Sequence, residues 1–437
     1  MATGDPLLEG KEADGSALTG LGNLDWYSAN DYTGSDAEKI QAAVDAAQTA
    51  GGGVVFIPTG NWNVDETITV TGASLGAGNY GYIHVIGDGV GATSLIRSGN
   101  YGDTFVFKAP GTSTQLFGCS ISNLLMVKTT GSMTSTQAHL SVYYTYNFRG
   151  ENLWLKNGGI GLQIFGQTHA TFFSKCNIDL MAGYTGQAGI VMALGSYGHG
   201  LPYLSLTDCD LYPSTTSNSW TYGIFVKAGD GLWANNVHVG RATFAAVGII
   251  PSANTTQVTG LKFVNCWFDN EGSSAQSYSI YIEGTNNTAA PFGIMNFTGC
   301  HFQGYGTEYG FLIASGNVEN VILDGCNFYD YKRGAIYLGG GNKLVVSNNR
   351  VVGGSSDGVG SYNGLSVAGA TRFVISGNSI GYQRMLTTDA NNAYGIYIVG
   401  ACVDYIVTSN NCYGNTTGGI SDGGTATGGK VVANNLP

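Results

Sequence analysis

A six-residue pattern of apolar, any, any, Cys or Asn, any, apolar recurs twelve times between Ile121 and Leu436. Five copies carry Cys: Phe173–Ile178, Leu206–Leu211, Phe263–Phe268, Phe297–Phe302 and Leu323–Phe328. Leu232–Val237, Val346–Val351, Ile375–Ile380, Val407–Cys412 and Val431–Leu436 carry Asn. The copies from Ile121 and Phe148 keep the apolar frame but place Leu124 and Glu151 in the central column. Successive copies start 27, 25, 33, 26, 31, 34, 26, 23, 29, 32 and 24 residues apart. That scatter around a constant frame describes a stacked unit whose loops vary in length.

Most units hold a second signature, a Gly followed by alternating apolar residues, as in 159–166 (GIGLQIFG), 278–285 (YSIYIEGT) and 394–401 (YGIYIVGA). Alternation over a few residues marks a strand with one buried face. Each unit therefore contributes at least two short strands, and stacking the units buries a core that no single unit encloses. Leucine-rich repeats share the period and an internal Asn, but here Leu does not dominate the apolar columns and each unit shows two strands. The expected fold is all-β: a single-stranded right-handed parallel β-helix of about twelve or thirteen coils. Composition agrees. With 69 Gly, 8 Pro and only 11% charged residues, turns fall to Gly and Asn. The unbroken repeat outweighs the two or three domains that the length alone suggests.

Residues 36–50 put Ile40, Val44 and Ala47 on one helical face, with Ser35 or Asp36 as cap and Gly51–Gly53 as stop. A short helix there would cover the open end of the first coil. Residues 51–64 (GGGVVFIPTGNWNV) and 82–96 (YIHVIGDGVGATSLI) follow. Together these segments resemble the pectate-lyase superfamily, as found in phage tailspikes and β-helical polysaccharide-degrading enzymes. The family's opening helix matches KIQAAVDAA, its Pro-x-Gly strand ending matches Pro58–Gly60, and its Gly-rich turn matches Ile86–Thr93. The resemblance implies the fold over 33–437 and a polysaccharide as substrate class. By analogy with tailspikes it also implies a homotrimer. Residues 1–32 carry no clear period and read as a linker or attachment segment to other virion proteins. No signal-peptide core or transmembrane-length apolar run is present. This favours a virion tail appendage, with a secreted protein as the alternative, and no membrane insertion.

Five Cys (176, 209, 266, 300, 326) share one inward column, where rungs about 4.8 Å apart stack small apolar side chains. The Asn column is expected to be structural too, its amides bonding their neighbours and the turn backbone. No CxxC or clustered His accompanies the cysteines, so neither a metal nor a cofactor is expected. The formal charge of −11 without a basic run makes nucleic acid a poor partner.

Counting from the Cys/Asn position, positions −1, +1 and +3 read as outward strand positions. Position +3 runs Trp154, Asp179, Tyr212, His238, Asp269, Gln303, Tyr329; position +1 runs Asn152, Asn177, Asp210, Asn236, Trp267, His301, Asn327, Arg350. Position −1 contributes Lys175, Asp208 and Asn265. Aromatics interleaved with acids, His and amides suit a sugar chain, which needs flat surfaces and polar groups. From Ser376 onward the columns turn plain, which concentrates candidate chemistry in 150–330.

Glycoside cleavage needs two carboxyl groups, about 6.5–9.5 Å apart for inversion. Asp179 and Asp210 fall at roughly 8 Å by strand geometry and form the expected acid–base pair, with Asp269 and His238 in support. Trp154, Tyr212, Trp267, His301 and Tyr329 are the expected sugar-binding residues. GHG at 198–200 and the trio Asp330, Lys332 and Arg333 are weaker candidates. A bacterial surface polysaccharide, bound and cleaved, is the expected ligand, with hydrolysis favoured over elimination. The alternatives are a non-catalytic receptor-binding or structural virion protein, and a free bacterial lyase or hydrolase.

Overall fold

The computed structural model describes residues 25–437 except 77–78, 100–101, 112–113, 130–135, 167, 181–183, 185, 195–200, 215–219, 253–256, 271–276, 285–291, 305–306, 354–359, 382–391 and 426–427. Strands stack in parallel, each pairing with its counterpart one coil on. One stack has 13 strands, from Ile68–Val70 to Gly418–Gly424, and contains the Gly-apolar segments. The other sheet gathers the six-residue repeats. The two inward faces enclose one core that runs the length of the coil, from Ile40 to Cys412.

Each six-residue repeat is bent in the middle. The residue before the central column has positive φ in copy after copy: Asn123, Asn152, Lys175, Asp208, Asn236, Asn265, Gly299, Gly325, Asn348, Gly377, Ser409 and Asn434. This left-handed conformation costs an ordinary L-residue about 1–2 kcal/mol, which explains the run of Asn, Asp and Gly. Position −1 is thus a corner between two short strands, not an outward strand position. The pattern x–Asn/Gly–Cys/Asn is the corner's sequence signature.

Three copies sit in a different frame from the one their apolar residues suggest. Gly150 pairs with Phe173, and Trp154 with Asn177, so the second copy runs from Gly150 and its central residue is Leu153. Likewise Leu206 pairs with Ala234 and Asp210 with His238, which puts Val237 in the central column. Small residues occupy the first apolar position in both. At Gly150 a Cβ would come within 2.1 Å of the Phe173 ring, so the large neighbour fills the place that sequence reading gave to Phe148. At the far end Val407 pairs with Val432, and the last copy starts one residue later than Val431.

The central column changes chemistry along its length. All eight cysteines are free and buried, and those of the column donate S–H to backbone carbonyls, as Cys266 does to Ala234 O at 3.4 Å. Beyond Cys326 the column becomes Asn349, Asn378, Asn410 and Asn435. Asn349 Oδ1 accepts from Cys326 N, and each later amide oxygen accepts from the backbone N–H and the Nδ2 of the Asn before it, as Asn378 Oδ1 does from Asn349 at 2.9 and 3.0 Å. Asn378 Nδ2 donates in turn to Val346 O and Asn410 Oδ1.

The N-terminal helix spans Asp36–Thr49 and buries Ala37, Ile40, Ala43, Val44 and Ala47. Ser35 is its cap: its hydroxyl accepts from Glu38 N, and Glu38 Oε2 accepts from Ser35 N at 2.7 Å. Gln41 exchanges two hydrogen bonds with the Thr69 backbone, and Gln48 Oε1 accepts from Thr71 N and Gly72 N. These amides satisfy the open edge of the 13-stranded stack, which would otherwise template further pairing. The other sheet, which gathers the six-residue repeats, begins at Trp26–Ser28, which pairs with Val54–Phe56.

Candidate functional site

The strand after each corner is short, three residues in most coils, and presents positions +1 and +3 outward. In true register the +1 row reads Trp154, Asn177, Asp210, His238, Trp267, His301, Asn327, Arg350. Trp154 and His238 therefore belong to this row, not to +3, and Asn152 and Asn236 are corner residues. The +3 row holds Lys156 beside Asp179, then Tyr212, and later Gly240, Asp269, Gln303 and Tyr329 in register.

The frame shift moves His238 directly onto Asp210. His238 Nδ1 lies 3.1 Å from Asp210 Oδ1. The Tyr212 ring stacks on the imidazole at 4.5 Å between centroids, and Tyr212 Oη donates to Asp269 Oδ2 at 3.3 Å. That reach spans Gly240, where a Cβ would come within 2.4 Å of the Tyr212 ring and 2.3 Å of Asp269 O. Gly is required here because the phenol lies across the backbone. The row continues as rings: His238 to Trp267 at 5.6 Å, Trp267 to His301 at 4.9 Å, and His301 to Tyr329 at 4.8 Å. Trp267 is 46% exposed at the centre of this run. His238 Nε2 is enclosed and finds no hydrogen-bond partner among the described residues.

Asp179 lies one coil before Tyr212 on the same face. Burial pushes its carboxyl above the ordinary value; the Lys156 charge and the Ser214 and Leu180 amides oppose this, while the Asp210 charge adds to it. Burial also holds the His301 imidazole below its ordinary value. The structure thus gathers Asp179, Asp210, Asp269, His238, Tyr212, Trp267, His301 and Tyr329 on one face. Trp154 heads the +1 row two rungs before Asp210, its ring covered by the Lys156 ammonium at 4.6 Å.

Sequence reading missed Arg241, whose guanidinium sits 4.4 Å from the Tyr212 ring centroid and donates to Pro213 O and Ser214 O. Its signal was the Gly-Arg after His-Val, legible only once His238 is in the right row. It also missed the outward face of the 13-stranded stack. There Tyr222 stacks on Phe225 at 4.0 Å, Tyr281 donates to Glu283, and Tyr278 donates to buried Glu308, which Arg333 pairs at 2.8 Å. The two tyrosines of 278–281 were the available clue. Arg333 is tied up in that pair, and Asp330 occupies a left-handed turn with its carboxyl raised by burial. The GHG at 198–200 lies outside the described residues. Among the described residues no three His, Cys, Asp or Glu gather to hold a metal ion, and no helix is long and apolar enough to cross a membrane.

A corner-and-strand coil of this kind, capped by an amphipathic helix and bearing an acid-and-aromatic face, defines a class. The chain is a right-handed β-helix of the pectate-lyase-like type. Residues 25–239 match the family model described as rhamnogalacturonase A/epimerase, pectate lyase-like, and residues 245–436 match that of the right-handed β-helix region. Among solved structures it is similar to PfbA, a surface adhesin of Streptococcus pneumoniae, with TM-score 0.59 and 14% identity over 91% of this chain and 92% of that one. Bacteriophage phi29 gene product 12, in its pre-mature form, gives TM-score 0.62 and 12% identity over 89% of this chain and 53% of that one. The catalytic unit of a GH87 α-1,3-glucanase from Streptomyces thermodiastaticus gives 0.54 and 12% over 95% and 69%. No curated protein matches the sequence.

Proposed function

We propose that the chain is a tailspike-like protein that binds and depolymerises a bacterial surface polysaccharide, using the face that carries Asp179, Asp210 and His238. The observation carrying this reading is two partly buried acids on adjacent coils, Asp179 with its carboxyl raised by burial and Asp210 half-exposed, flanked by a run of rings. Asp179, raised by burial, keeps its proton longer than an ordinary carboxyl and suits the acid that protonates a leaving oxygen. Asp210, with its Oδ1 3.1 Å from His238 Nδ1, suits the base that activates water. Their separation, roughly 8 Å by strand geometry, falls in the range for inversion. Trp267, His301 and Tyr329 extend the face as sugar platforms. The similar structures, a glucanase and a phage protein among them, support this class of ligand. A trimer, attached to a virion through residues before the coil, completes the proposal.

The second reading is a non-catalytic receptor-binding β-helix. It is favoured by the self-pairing of the face, since Tyr212 covers His238 and bonds Asp269. Incubation with capsule and O-antigen preparations, followed by assays for new reducing ends and for unsaturated ends, separates the two. The depolymerase reading expects reducing ends, with Asp179→Asn and Asp210→Asn each slowing release at least ~100-fold. Binding without any product establishes the second reading, and unsaturated ends replace hydrolysis with elimination.

A further inference from the structure

The outward row four positions before the central column runs in register through Arg149, Phe172, Ser205, Trp233, Lys262 and Asn296. It lies on the strand before the corner, across that corner from Asp179 and Asp210. We propose that this row is an anchoring subsite for a carboxylate-bearing polysaccharide, separate from the acid-and-His face and resting on the reading that the chain binds a glycan.

The row alternates aromatic and polar rungs. Trp233 is 53% exposed and Phe172 40%, two rungs apart with Ser205 between them. The indole is held by Tyr203, whose ring meets it edge-on at 5.8 Å and 61°. Tyr203 is itself seated over Gly231, where a Cβ would fall 2.4 Å from the ring. A large apolar ring is therefore kept exposed on a fixed support, at the price of a position that tolerates only Gly. Trp233, Ser205, Thr207, Asn235 and Lys262 line one shallow depression, which offers hydroxyl, amide and ammonium groups around the ring. Aromatic faces take the apolar side of a pyranose, and the surrounding groups take its hydroxyls.

The charge identifies the sugar. Lys262 lies 6.0 Å from the Trp233 ring centroid, and Arg149 stands at the other end of the row, about 19 Å away over four rungs. Both are exposed, and among the described residues neither has a carboxylate within ion-pair distance. In a chain of net charge −11, a row with two unpaired cations and no acid stands out as an anion-accepting track. A protein-docking stripe would keep its apolar residues contiguous. This row does so only further on, where it becomes Ile322, Val345, Val374 and Ile406.

The test is affinity electrophoresis of the full chain in polygalacturonate, alginate, hyaluronate and host capsule, each beside its carboxyl-reduced form. The probes are run with wild type, Trp233→Ala, Lys262→Gln and Asp404→Asn. The proposal expects retardation by at least one carboxylated polymer and at least tenfold weaker binding of its reduced form. Trp233→Ala should weaken binding at least tenfold and Lys262→Gln at least threefold, with Asp404→Asn near wild type. Equal retardation by reduced polymers, no retardation by any polymer, or indifference to Trp233→Ala overturns it. So does a Trp233→Ala variant that changes oligomeric mass instead of glycan binding, which would make the row a protein interface. If these shifts occur but no polymer is cleaved, the subsite stands and the depolymerase reading falls. If cleavage requires Asp210 yet Trp233→Ala leaves KM unchanged, only the subsite falls.

Discussion

The coils of residues 150–330 and those after them share one frame but are finished differently, inside and out. In the first region the interior is held by stacked rings, such as Phe263 on Phe297 at 4.9 Å and 5° and Phe302 on Phe328 at 4.4 Å and 7°, beside a column of thiols. In the second, the same column is an amide ladder that bonds every rung to the next. Outside, the first region carries acids, His and Trp, while the second carries Ser379, Asn411 and the aliphatic run through Ile406. The lesson is a division of labour within one repeat. Where the outer face is plain, directional hydrogen bonds in the core add to stacking such as Phe373 on Tyr405 at 4.7 Å. Where the outer face carries the candidate chemistry, register rests on shape packing of large rings, and the central column needs only small, weakly bonding side chains.

The largest effect that breaks this comparison lies in the core. Asn378→Leu should destabilise by about 3 kcal/mol in urea unfolding, because it strands the Asn349 and Asn410 amides and the Val346 carbonyl in the interior. Cys300→Ala, the same column in the other region, should lose only about 1 kcal/mol. Equal losses would mean that the column does the same work throughout. On the outer face, Gly240→Ala should reduce glycan cleavage about tenfold with smaller change in melting temperature, since its Cβ displaces Tyr212 from Asp269.

Smaller effects follow from titration and from the plain face. Asp179 has a raised pKa in the fold, so its carboxyl favours folding most at low pH, below the unfolded value near ~3.9. That contribution is lost as pH rises through the folded value. Asp179→Asn should therefore raise the melting temperature at pH 7, and the gain should vanish in acid. An unchanged difference across pH would remove the burial argument for its role as acid. Buried His139, depressed to about 4, works the other way, and wild type should lose stability as pH falls from 6.5 toward 4 while His139→Gln loses less. Ile406→Ser, on the aliphatic run, should shift stability by no more than about 0.5 kcal/mol and leave glycan binding untouched.

Much of this was legible in the residues. The repeat specified the coil, and residues 35–53 specified its cap and Gly stop, leaving Ser35 or Asp36 as the capping residue, of which the structure uses Ser35. What failed was local frame. At Phe148 and Leu232 a tempting apolar residue lies two positions before the true start; Gly150 holds the first apolar place because the Phe173 ring fills it, and Ala234 holds it in register with Phe263. Apolar periodicity cannot see that, since two-residue shifts preserve alternation. The corner residue could have fixed it: aligning every Asn, Asp or Gly at the left-handed position recovers the frame and brings His238 onto Asp210. The Tyr-rich face of the 13-stranded stack was missed because those strands were read only for their buried side.

The central claim is that glycan chemistry belongs to the coils of 150–330 and to Asp179 and Asp210 within them. It is tested most directly by the rate of reducing-end release from a polysaccharide the wild-type chain cleaves. Asp179→Asn and Asp210→Asn should be compared with Asp404→Asn on the plain coils. The account predicts a loss of at least ~100-fold for each of the first two and an unchanged rate for the third. Full activity in Asp179→Asn or Asp210→Asn would contradict it.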